Sequence, residues 1–282
     1  MVDPRKPSRA AEFTRRHPTI VIGAVLLLVI TLAAVLAPFI ARDPLAFEPI
    51  NRLRAPSAEF WLGTDSLGRD VYSRMVYGAR ISLLVGLLVA FISIVIGSVV
   101  GLLAGYFSHI DAVVMRLMDG IMAIPSILLA IALVSLLGAS VKVVIIAIAI
   151  PEIPRVTRLV RAVVLSVRDL PFVEAARSNG TRVAKLLRRH ILPSTVAPLI
   201  VQATYIAASA ILTEAGLSFL GAGTPPEFPT WGNMIASSRL YLQIAPWTIF
   251  APGICLALVV LAVNLVGDGL RDRLDPRISR RM

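Results

Sequence analysis

The sequence is poor in the side chains that build disulfide frameworks and metal sites. It contains one cysteine, Cys255, and three histidines, His17, His109 and His190, and no second cysteine or histidine stands at ligand spacing from any of them. Metal sites of the zinc type need several such side chains close together, so we expect no metal site and no disulfide framework. Charged residues are scarce as well, at 16%. A soluble globular domain carries about 25%, so the composition excludes that class.

Motifs of nucleotide-binding and hydrolytic enzymes are also missing. The pattern G-x-x-x-x-G-K-[ST], which cradles phosphates in many ATPases, does not occur. Neither H-E-x-x-H nor G-x-S-x-G occurs, and no pair of membrane-embedded carboxylates suggests catalysis. We therefore expect no catalytic residue, no cofactor bound by this chain and no ATP hydrolysis by the chain itself.

Long hydrophobic runs dominate what is present. Hydrophobic residues make up 57% of the chain, and the mean hydropathy is +0.81. A run of about 20 apolar residues is long enough to cross a bilayer as a helix. Six such runs are predicted as membrane-spanning helices, at residues 19–40, 81–104, 121–137, 143–160, 196–212 and 247–266. The fold class is therefore an all-α, polytopic membrane protein.

The distribution of basic residues predicts the orientation of these spans. Cytoplasmic loops of membrane proteins carry an excess of lysine and arginine. With both termini placed inside, 20 of the 28 lysines and arginines fall on cytoplasmic segments. Six arginines lie in the extracytoplasmic stretch 41–80 and oppose this orientation, but the inner segments outweigh them. We expect cytoplasmic N- and C-termini.

One polar stretch between the fourth and fifth runs is both basic and patterned as helix. This basic loop, residues Arg161 to Pro193, reads RAVVLSVRDLPFVEAARSNGTRVAKLLRRHILP. Pro171 opens a short helix at a position where a missing N–H is harmless, and Gly180 supplies the backbone freedom to end it. A second amphipathic segment follows from Thr181, and Pro193 is expected to turn the chain back toward the next span.

The residues Glu174-Ala175-Ala176, then Gly180, in this loop resemble the EAA loop of ABC importer permeases. In that family the loop docks into a cleft on an ATP-hydrolysing subunit. From the spacing alone, a helix lying on the inner leaflet and held by its arginines is an equal alternative.

Three longer stretches resemble the dipeptide and oligopeptide branch of the same family. These are WLGTDSLGRDVYSR at 61–74 followed by GARISL at 78–83; LSFLGAG at 217–223 followed by Pro225-Pro226 and Trp231-Gly232; and GDGLRD at 267–272 followed by Leu274-Asp275-Pro276. The first match is long and gapless. Together the matches extend over most of the chain.

The resemblance implies a type I ABC importer permease fold with cytoplasmic coupling helices, in a bacterial or archaeal cytoplasmic membrane. It divides the chain into an N-tail (1–18), a first transmembrane helix (19–40), an extracytoplasmic lead-in segment (41–80), a permease core with five transmembrane helices (81–267) and a C-tail (268–282). The implied partners are a homologous second permease, two ATPase subunits that bind ATP and magnesium, and an extracytoplasmic solute-binding protein. No nucleic-acid partner is expected. The implied contact residues for the ATPase are Glu174, Ala175, Ala176, Arg177, Gly180 and Arg182.

Two carboxylates near predicted spans remain open in function. Ionisable groups are costly against lipid, so Glu152 and Glu214 are candidates for the translocation path. The alternative for Glu152 is ordinary variation at a kinked helix end, which we favour, and the alternative for Glu214 is a structural contact within the bundle. A di- or oligopeptide is the expected substrate, with a glutathione-like peptide or a nickel chelate as alternatives. A secondary transporter driven by an ion gradient is a further alternative, although no internal repeat is found across the six runs.

Overall fold

The computed structural model describes residues 18–274, and helices carry almost all of the regular structure in this part of the chain. The predicted N-tail and the last part of the predicted C-tail, including Asp275 and Pro276, lie outside the described residues. Ten helices are present in the described chain: α1 Pro18–Ile40, α2 Val71–Tyr106, α3 Ser108–Met122, α4 Ser126–Leu137, α5 Val141–Val167, α6 Pro171–Ser178, α7 Val183–Leu186, α8 Leu192–Phe219, α9 Trp231–Ser238 and α10 Trp247–Leu274. Residues 18–274 form no strand beyond one isolated bridge between Thr64 and Asp70. The all-α fold is confirmed.

Helix α2 begins ten residues before the apolar run that predicted it. The Asp70 carboxylate accepts a hydrogen bond from the backbone N–H of Ser73 at 3.0 Å and caps the first turn. Its 36 residues correspond to a length of about 54 Å, well over the roughly 30 Å of a hydrocarbon core. The last ten residues of the predicted lead-in segment are therefore helical and extend the helix beyond the apolar run.

The third apolar run is divided between two helices: it begins in the last two residues of α3 and continues, from Ser126, as α4. Its place as one span beginning at Ile121 stays a prediction, because the bent pair of helices is either one broken span or a re-entrant loop. Helices α3 and α4 meet at an angle of 86°. Pro125 precedes α4 with φ −53° and ψ 127°, outside the helical region. A proline has no N–H to donate and disfavours helical backbone in the residue before it, and this ends α3. Pro125 was the sign of this bend in the sequence, within a run that is otherwise mostly apolar.

The number of spans depends on α4 and α5. Four helical segments of the described chain are long and apolar enough to cross a membrane, and α3 with α4 counts as a fifth if the bent pair is one span. Helix α5 is a single 27-residue helix through Pro151 and Pro154, but Glu152, Arg155 and Arg158 interrupt its hydropathy. The six-span count therefore stays a prediction.

The chain does not turn back at Pro193, contrary to expectation. A π-helical turn, Leu187–Ile191, joins α7 to α8, so that helix runs from Val183 to Phe219. In this turn the N–H of Leu192 reaches the carbonyl of Leu187. Pro193 then occupies one of the first positions of α8, where a missing N–H is tolerated.

Helices α2 and α5 pack side by side and run in the same direction. Gly97, Gly101 and Gly105 of α2 lie against Val156, Val160 and Val164 of α5, in that order. The hydroxyl of Ser93 continues the seam by donating to the carbonyl of Ala149. Glycines at four-residue spacing allow helix backbones to approach this closely.

The described ends of the chain lie at the same end of the bundle as the basic loop. The start of α1 packs on α10, where Ile20 covers Gly269. The end of α10 reaches the start of α8, because Leu274 and Ser194 line one cavity. At the other end, the indole N–H of Trp247 donates to the carbonyl of Thr64, and that of Trp231 to Met75. The lead-in segment and α9 therefore cover the end remote from the loop.

The glycine seam generates a stability prediction. A Cβ at position 101 would lie 2.7 Å from the carbonyl oxygen of Thr157 and 2.8 Å from Cβ of Val160. Gly101→Ala is expected to destabilise the protein by about 1–3 kcal/mol through overpacking. The measurement is thermal unfolding in detergent followed by tryptophan fluorescence.

Gly253→Ala is the matched control, since nothing lies within 4 Å of a Cβ at that position of α10. It is expected to be neutral or slightly stabilising, because alanine favours helix over glycine. Equal melting temperatures for the two variants would contradict the close approach of α2 and α5.

Candidate functional site

The basic loop is built from two short helices with a glycine between them. Helix α6 begins with Pro171 and ends before Gly180, which has φ +73°. The N–H of Thr181 bonds the carbonyl of Ala176 at 3.1 Å, and the N–H of Gly180 bonds that of Arg177 at 3.0 Å. This is the Schellman arrangement that glycine permits at a helix end, so the predicted helix stop at Gly180 is confirmed.

Three apolar side chains anchor the loop to the bundle. Val173, Leu186 and Ile191 are at most 2% exposed and belong to the same core cluster as Val164 and Val167 of α5. Their burial comes from packing on the protein itself and does not require a membrane surface. Both helices of the loop thus pack into the core that includes the end of α5.

The opposite face of the loop is exposed. Glu174, Ala175, Arg177 and Arg182 are exposed, and so is Gly180 between the helices. Ala176 is half-buried and packs against the core cluster. The residues predicted to contact an ATPase thus lie on the exposed surface of the loop, except that Ala176 faces partly inward. Lys185, Arg188 and Arg189 extend this surface along α7 and the π turn.

Ion pairs fasten α3 to the inner half of α5. The Arg161 guanidinium makes two hydrogen bonds to the Asp111 carboxylate, at 2.5 and 2.6 Å. Arg158 bonds the Asp119 carboxylate at 2.5 Å. Sequence analysis missed both aspartates. Their only signal was acidic residues at the edge of an apolar run, and their partners 39 and 50 residues away depend on how the helices pack.

A further arginine joins the start of the loop to α2. Arg168 follows α5 directly, and its guanidinium donates to the carbonyl of Gly105 at 3.0 Å. This carbonyl lies at the last turn of α2, where a cation interacts favourably with the helix dipole. These contacts join α2, α3 and α5 near the loop, and we refer to the three as the braced helices.

Glu152 lies within α5 and is 5% exposed. Its Oε1 accepts a hydrogen bond from Arg155 at 2.8 Å, while Oε2 is buried without a hydrogen-bond partner. The carboxylate is thus paired with a neighbour on its own helix. Only Glu152 is buried in this pair, because the Arg155 side chain is exposed, and the pair satisfies one oxygen of the carboxylate and leaves the other without a partner.

Glu214 lies near the outer end of α8 and is 1% exposed. Its Oε1 accepts hydrogen bonds from the hydroxyls of Ser218 (2.9 Å), Thr224 (3.2 Å) and Thr230 (2.9 Å). Thr230 also caps α9 by accepting from the N–H of Asn233. Glu214 therefore ties the end of α8, the loop that follows it and the start of α9 together. The two candidate carboxylates lie far apart in the bundle and do not form one site.

The largest cavity near the loop end lies between α8 and α10. It has a volume of about 760 Å³ and is lined on its polar side by Gln202, Thr204, Tyr205, Asn264 and Asp268. Neither Glu152 nor Glu214 lines it. Amides, hydroxyls and the charged Asp268 and Arg271 share the wall of this cavity with apolar side chains. Of these polar residues, only Asp268 and Arg271 belong to a stretch named from the sequence, because amides and hydroxyls scattered along apolar runs form no pattern.

Within residues 18–274, no group of three or more histidine, cysteine or acidic side chains is arranged to hold a metal ion. The structure thus combines four features: an exposed loop, three helices joined near it, a polar cavity and an outer loop held by Glu214.

Two protein-family models match the chain. Residues 93–280 match the model described as "Binding-protein-dependent transport system inner membrane component". Residues 11–56 match the model described as "N-terminal TM domain of oligopeptide transport permease C". The first match covers the braced helices, the basic loop and α8 to α10.

Curated relatives match over almost their whole length. The probable peptide ABC transporter permease protein y4tQ of Sinorhizobium fredii is 60% identical over 96% of this chain and 93% of its own. The dipeptide transport system permease protein DppC of Alkalihalophilus pseudofirmus is 44% identical over 94% and 88%. The glutathione transport system permease protein GsiD of Pectobacterium atrosepticum is 42% identical over 95% and 90%.

A solved structure shares the fold. The chain resembles one from the MetNI methionine ABC transporter in an inward facing conformation, with a TM-score of 0.58 and 19% identity. The similarity covers 72% of this chain and 96% of the other. The predicted type I importer fold is thus supported by an independent structure, at an identity that speaks for the fold alone.

The hydroxyl network around Glu214 generates a second prediction. Glu214→Ala removes the acceptor of three buried hydroxyls, and each unsatisfied polar group costs about 1–3 kcal/mol. We expect residues 219–230 to become accessible to protease and to exchange amide hydrogens faster. Glu214→Gln keeps one acceptor oxygen and is expected to change both readouts less.

Glu227→Gln serves as the control, because Glu227 is an exposed carboxylate in the same loop. It should exchange like the unsubstituted protein. Unchanged protection of residues 219–230 in Glu214→Ala would show that the carboxylate does not hold the loop.

Proposed function

The chain belongs to the binding-protein-dependent transport system inner membrane components, and we propose that it is the permease subunit of an ATP-driven importer of di- or oligopeptides. It is a multi-pass protein of the inner membrane. The relatives named above are peptide, dipeptide and glutathione permeases. Their shared chemistry is a short peptide, and this supports the peptide substrate.

The observation that carries the proposal is that the two ends of the helix bundle differ in charge and in covering. The exposed loop, both described chain ends and most basic residues lie at one end, while the lead-in segment and α9 cover the other. An importer needs one end that receives a solute and one that receives a motor. By the excess of arginine and lysine, the loop end is cytoplasmic and so are both termini.

The exposed face of the loop is the proposed contact with an ATPase. Glu174, Ala175, Arg177, Gly180 and Arg182 form its surface, and Ala176 supports it from behind. Val173 and Leu186 fix this surface to the core. Closure of the ATPase pair would therefore displace α6 and α7 as a body and move the end of α5 with them.

The hydrogen bonds and ion pairs between the braced helices then transmit the displacement into the membrane. Arg168 links the loop to α2, and Arg161 and Arg158 link α5 to α3. The continuous helix through the π turn carries motion from α7 directly into α8, which lines the inner cavity. Rocking of these helices alternates the cavity between the two sides of the membrane.

The partners follow from this division of labour. A homologous second permease encloses the path, two ATPases bind ATP and magnesium beneath the pair, and a solute-binding protein delivers peptide at the outer end. This chain supplies neither the nucleotide site nor a catalytic group. The inner cavity is the proposed inner part of the path, and Glu152 and Glu214 remain proposed path residues, with Glu214 also holding the outer loop.

The proposal is tested by reconstitution. The complex purified from native membranes is expected to contain a second permease and ATPase subunits, and in proteoliposomes to import a labelled dipeptide only with ATP and the binding protein. Dissipating ion gradients should leave uptake unchanged. Uptake by this chain alone, abolished by an uncoupler, would replace the proposal with a secondary transporter. Uptake of glutathione or a nickel chelate in preference to dipeptides would change the substrate.

Gly180 provides a test of the coupling surface. A β-branched residue is strained at φ +73°, although nothing lies within 4 Å of a Cβ there. Gly180→Val is therefore expected to distort the end of α6, leave the level of inserted protein unchanged and reduce ATP-dependent uptake at least tenfold. Uptake in proteoliposomes and the amount of copurified ATPase are the two measurements.

Gly138→Val is the matched control. Gly138 ends α4 with φ +84° and also has no neighbour within 4 Å, so the same substitution produces similar strain away from the loop. We expect it to retain most of the uptake. Normal uptake with Gly180→Val would overturn the assignment of this surface.

A further inference from the structure

A cationic cavity lies at the outer end of the molecule. It has a volume of about 320 Å³ and lies between the first turns of α2, the end of α8 and α9. Three arginines from separate parts of the chain line it, Arg69, Arg74 and Arg239. Neither the coupling surface nor the inner cavity includes any of these residues.

Arg74 is the unusual member of this group. Its side chain is 2% exposed, and its Nη1 is buried without a hydrogen-bond partner. Its Nε lies 3.7 Å from Oδ2 of Asp65, too far for a hydrogen bond. A guanidinium carries five donors and stays charged, so burying one with its donors unmatched is costly. Such a side chain in a cavity wall indicates an anion that completes it.

The acidic residue nearest to the arginines is already engaged. Asp65 Oδ2 accepts from Nε of Arg69 at 2.7 Å, and Oδ1 accepts from the N–H groups of Leu67 and Arg69. One carboxylate therefore serves two arginines, and Arg239 stands at the rim as an exposed residue. The cavity retains an excess of positive charge.

The neutral polar groups of the cavity are occupied as well. The hydroxyls of Ser218 and Thr224 donate to Glu214, and the amide of Asn233 donates to the carbonyls of Thr224 and Pro225. A ligand that bound through these neutral groups would have to break their hydrogen bonds. An anion has no such competition for the donors of Arg74 and Arg239.

We propose that this cavity binds the free carboxylate of the peptide as it enters from outside. The inference rests on the proposed function. A planar guanidinium matches a carboxylate with two parallel hydrogen bonds, and a buried one does so with little competition from water. The volume lies at the lower limit of small-ligand sites, which suits one end of a short peptide.

A peptide fits better than an acidic side chain on a docked protein. Arg74 is recessed, so a partner must reach into the cavity to meet it. A chain end is slender and flexible, whereas an aspartate or glutamate on a protein surface extends only one or two methylenes. The exposed Arg239 could bind either a peptide or an acidic side chain of a docked protein. The recessed position of Arg74 favours the carboxylate at the end of a peptide.

The test is direct binding to the permease pair in nanodiscs, without the solute-binding protein. Dialanine, N-acetyl-dialanine and dialaninamide are compared by isothermal titration calorimetry. The first two keep the carboxylate and are expected to bind alike, while the amide should bind about tenfold more weakly, the size expected for a charged hydrogen bond. Raising the salt concentration should weaken binding of the two acids.

Variants assign the binding to the cavity. Arg74→Lys keeps the positive charge but loses the planar guanidinium that can make two parallel hydrogen bonds to a carboxylate. Arg239→Gln removes the charge at the rim of the cavity and changes no buried group. We expect about tenfold and threefold weaker binding of dialanine, respectively. Arg54→Gln is the control, because Arg54 is an exposed arginine of the lead-in segment that does not line the cavity. Its affinity for dialanine should equal that of the unsubstituted protein. If Arg74→Lys fails to fold, Arg239→Gln decides the matter.

The outcomes separate this inference from the proposed function. Equal affinities for the acid and the amide, or unchanged dialanine binding in Arg239→Gln, would overturn the carboxylate site. So would a loss of binding-protein docking in Arg239→Gln with dialanine binding intact, which would assign the arginine to the protein partner. Any of these results combined with normal ATP-dependent dipeptide uptake leaves the proposed function standing. Absence of that uptake in the unsubstituted complex would overturn the function itself.

Discussion

The close parallel contact between α2 and α5 determines the arrangement of the other parts. Gly97, Gly101 and Gly105 allow the valines of α5 to rest on the α2 backbone, where a larger side chain would collide with it. Without a hydrophobic force between helices in lipid, such van der Waals contact is a main source of association. Since both helices run in one direction, their last turns reach the same end of the bundle, and the basic loop emerges there directly from α5.

The two ends of the bundle handle charge in opposite ways. At the loop end, Arg158 and Arg161 of α5 pair with aspartates of α3, and Arg168 bonds a carbonyl of α2, so these contacts together join three helices. Paired charges in a fixed geometry suit a part that transmits force. At the outer end, Glu214 is held by hydroxyls alone, and Arg74 keeps an unmatched donor beside a cavity. Unsatisfied buried charge of this kind is costly to folding and is characteristic of binding sites.

Proline shows how the same residue has different effects in different surroundings. Pro125 separates two helices at an 86° bend, whereas Pro151 and Pro154 lie inside an unbroken α5 and Pro193 begins α8. Each proline removes one donor, and the outcome depends on whether neighbouring turns can satisfy the freed carbonyl. Local sequence does not contain that information, and this is why neither the bend in the third predicted span nor the continuous helix through Pro193 was predicted.

The amino-acid sequence by itself determined the all-helical class, the approximate positions of the spans, the short helix that ends at Gly180 and the resemblance to importer permeases. These follow from local physics: long apolar runs have no soluble alternative, and glycine alone adopts a positive φ without strain. Only the tertiary structure decided which charges meet, since Arg161 and Asp111 are separated by 50 residues. It also decided that Arg69, Arg74 and Arg239 share a cavity, because side chains from distant segments become neighbours only when the helices pack.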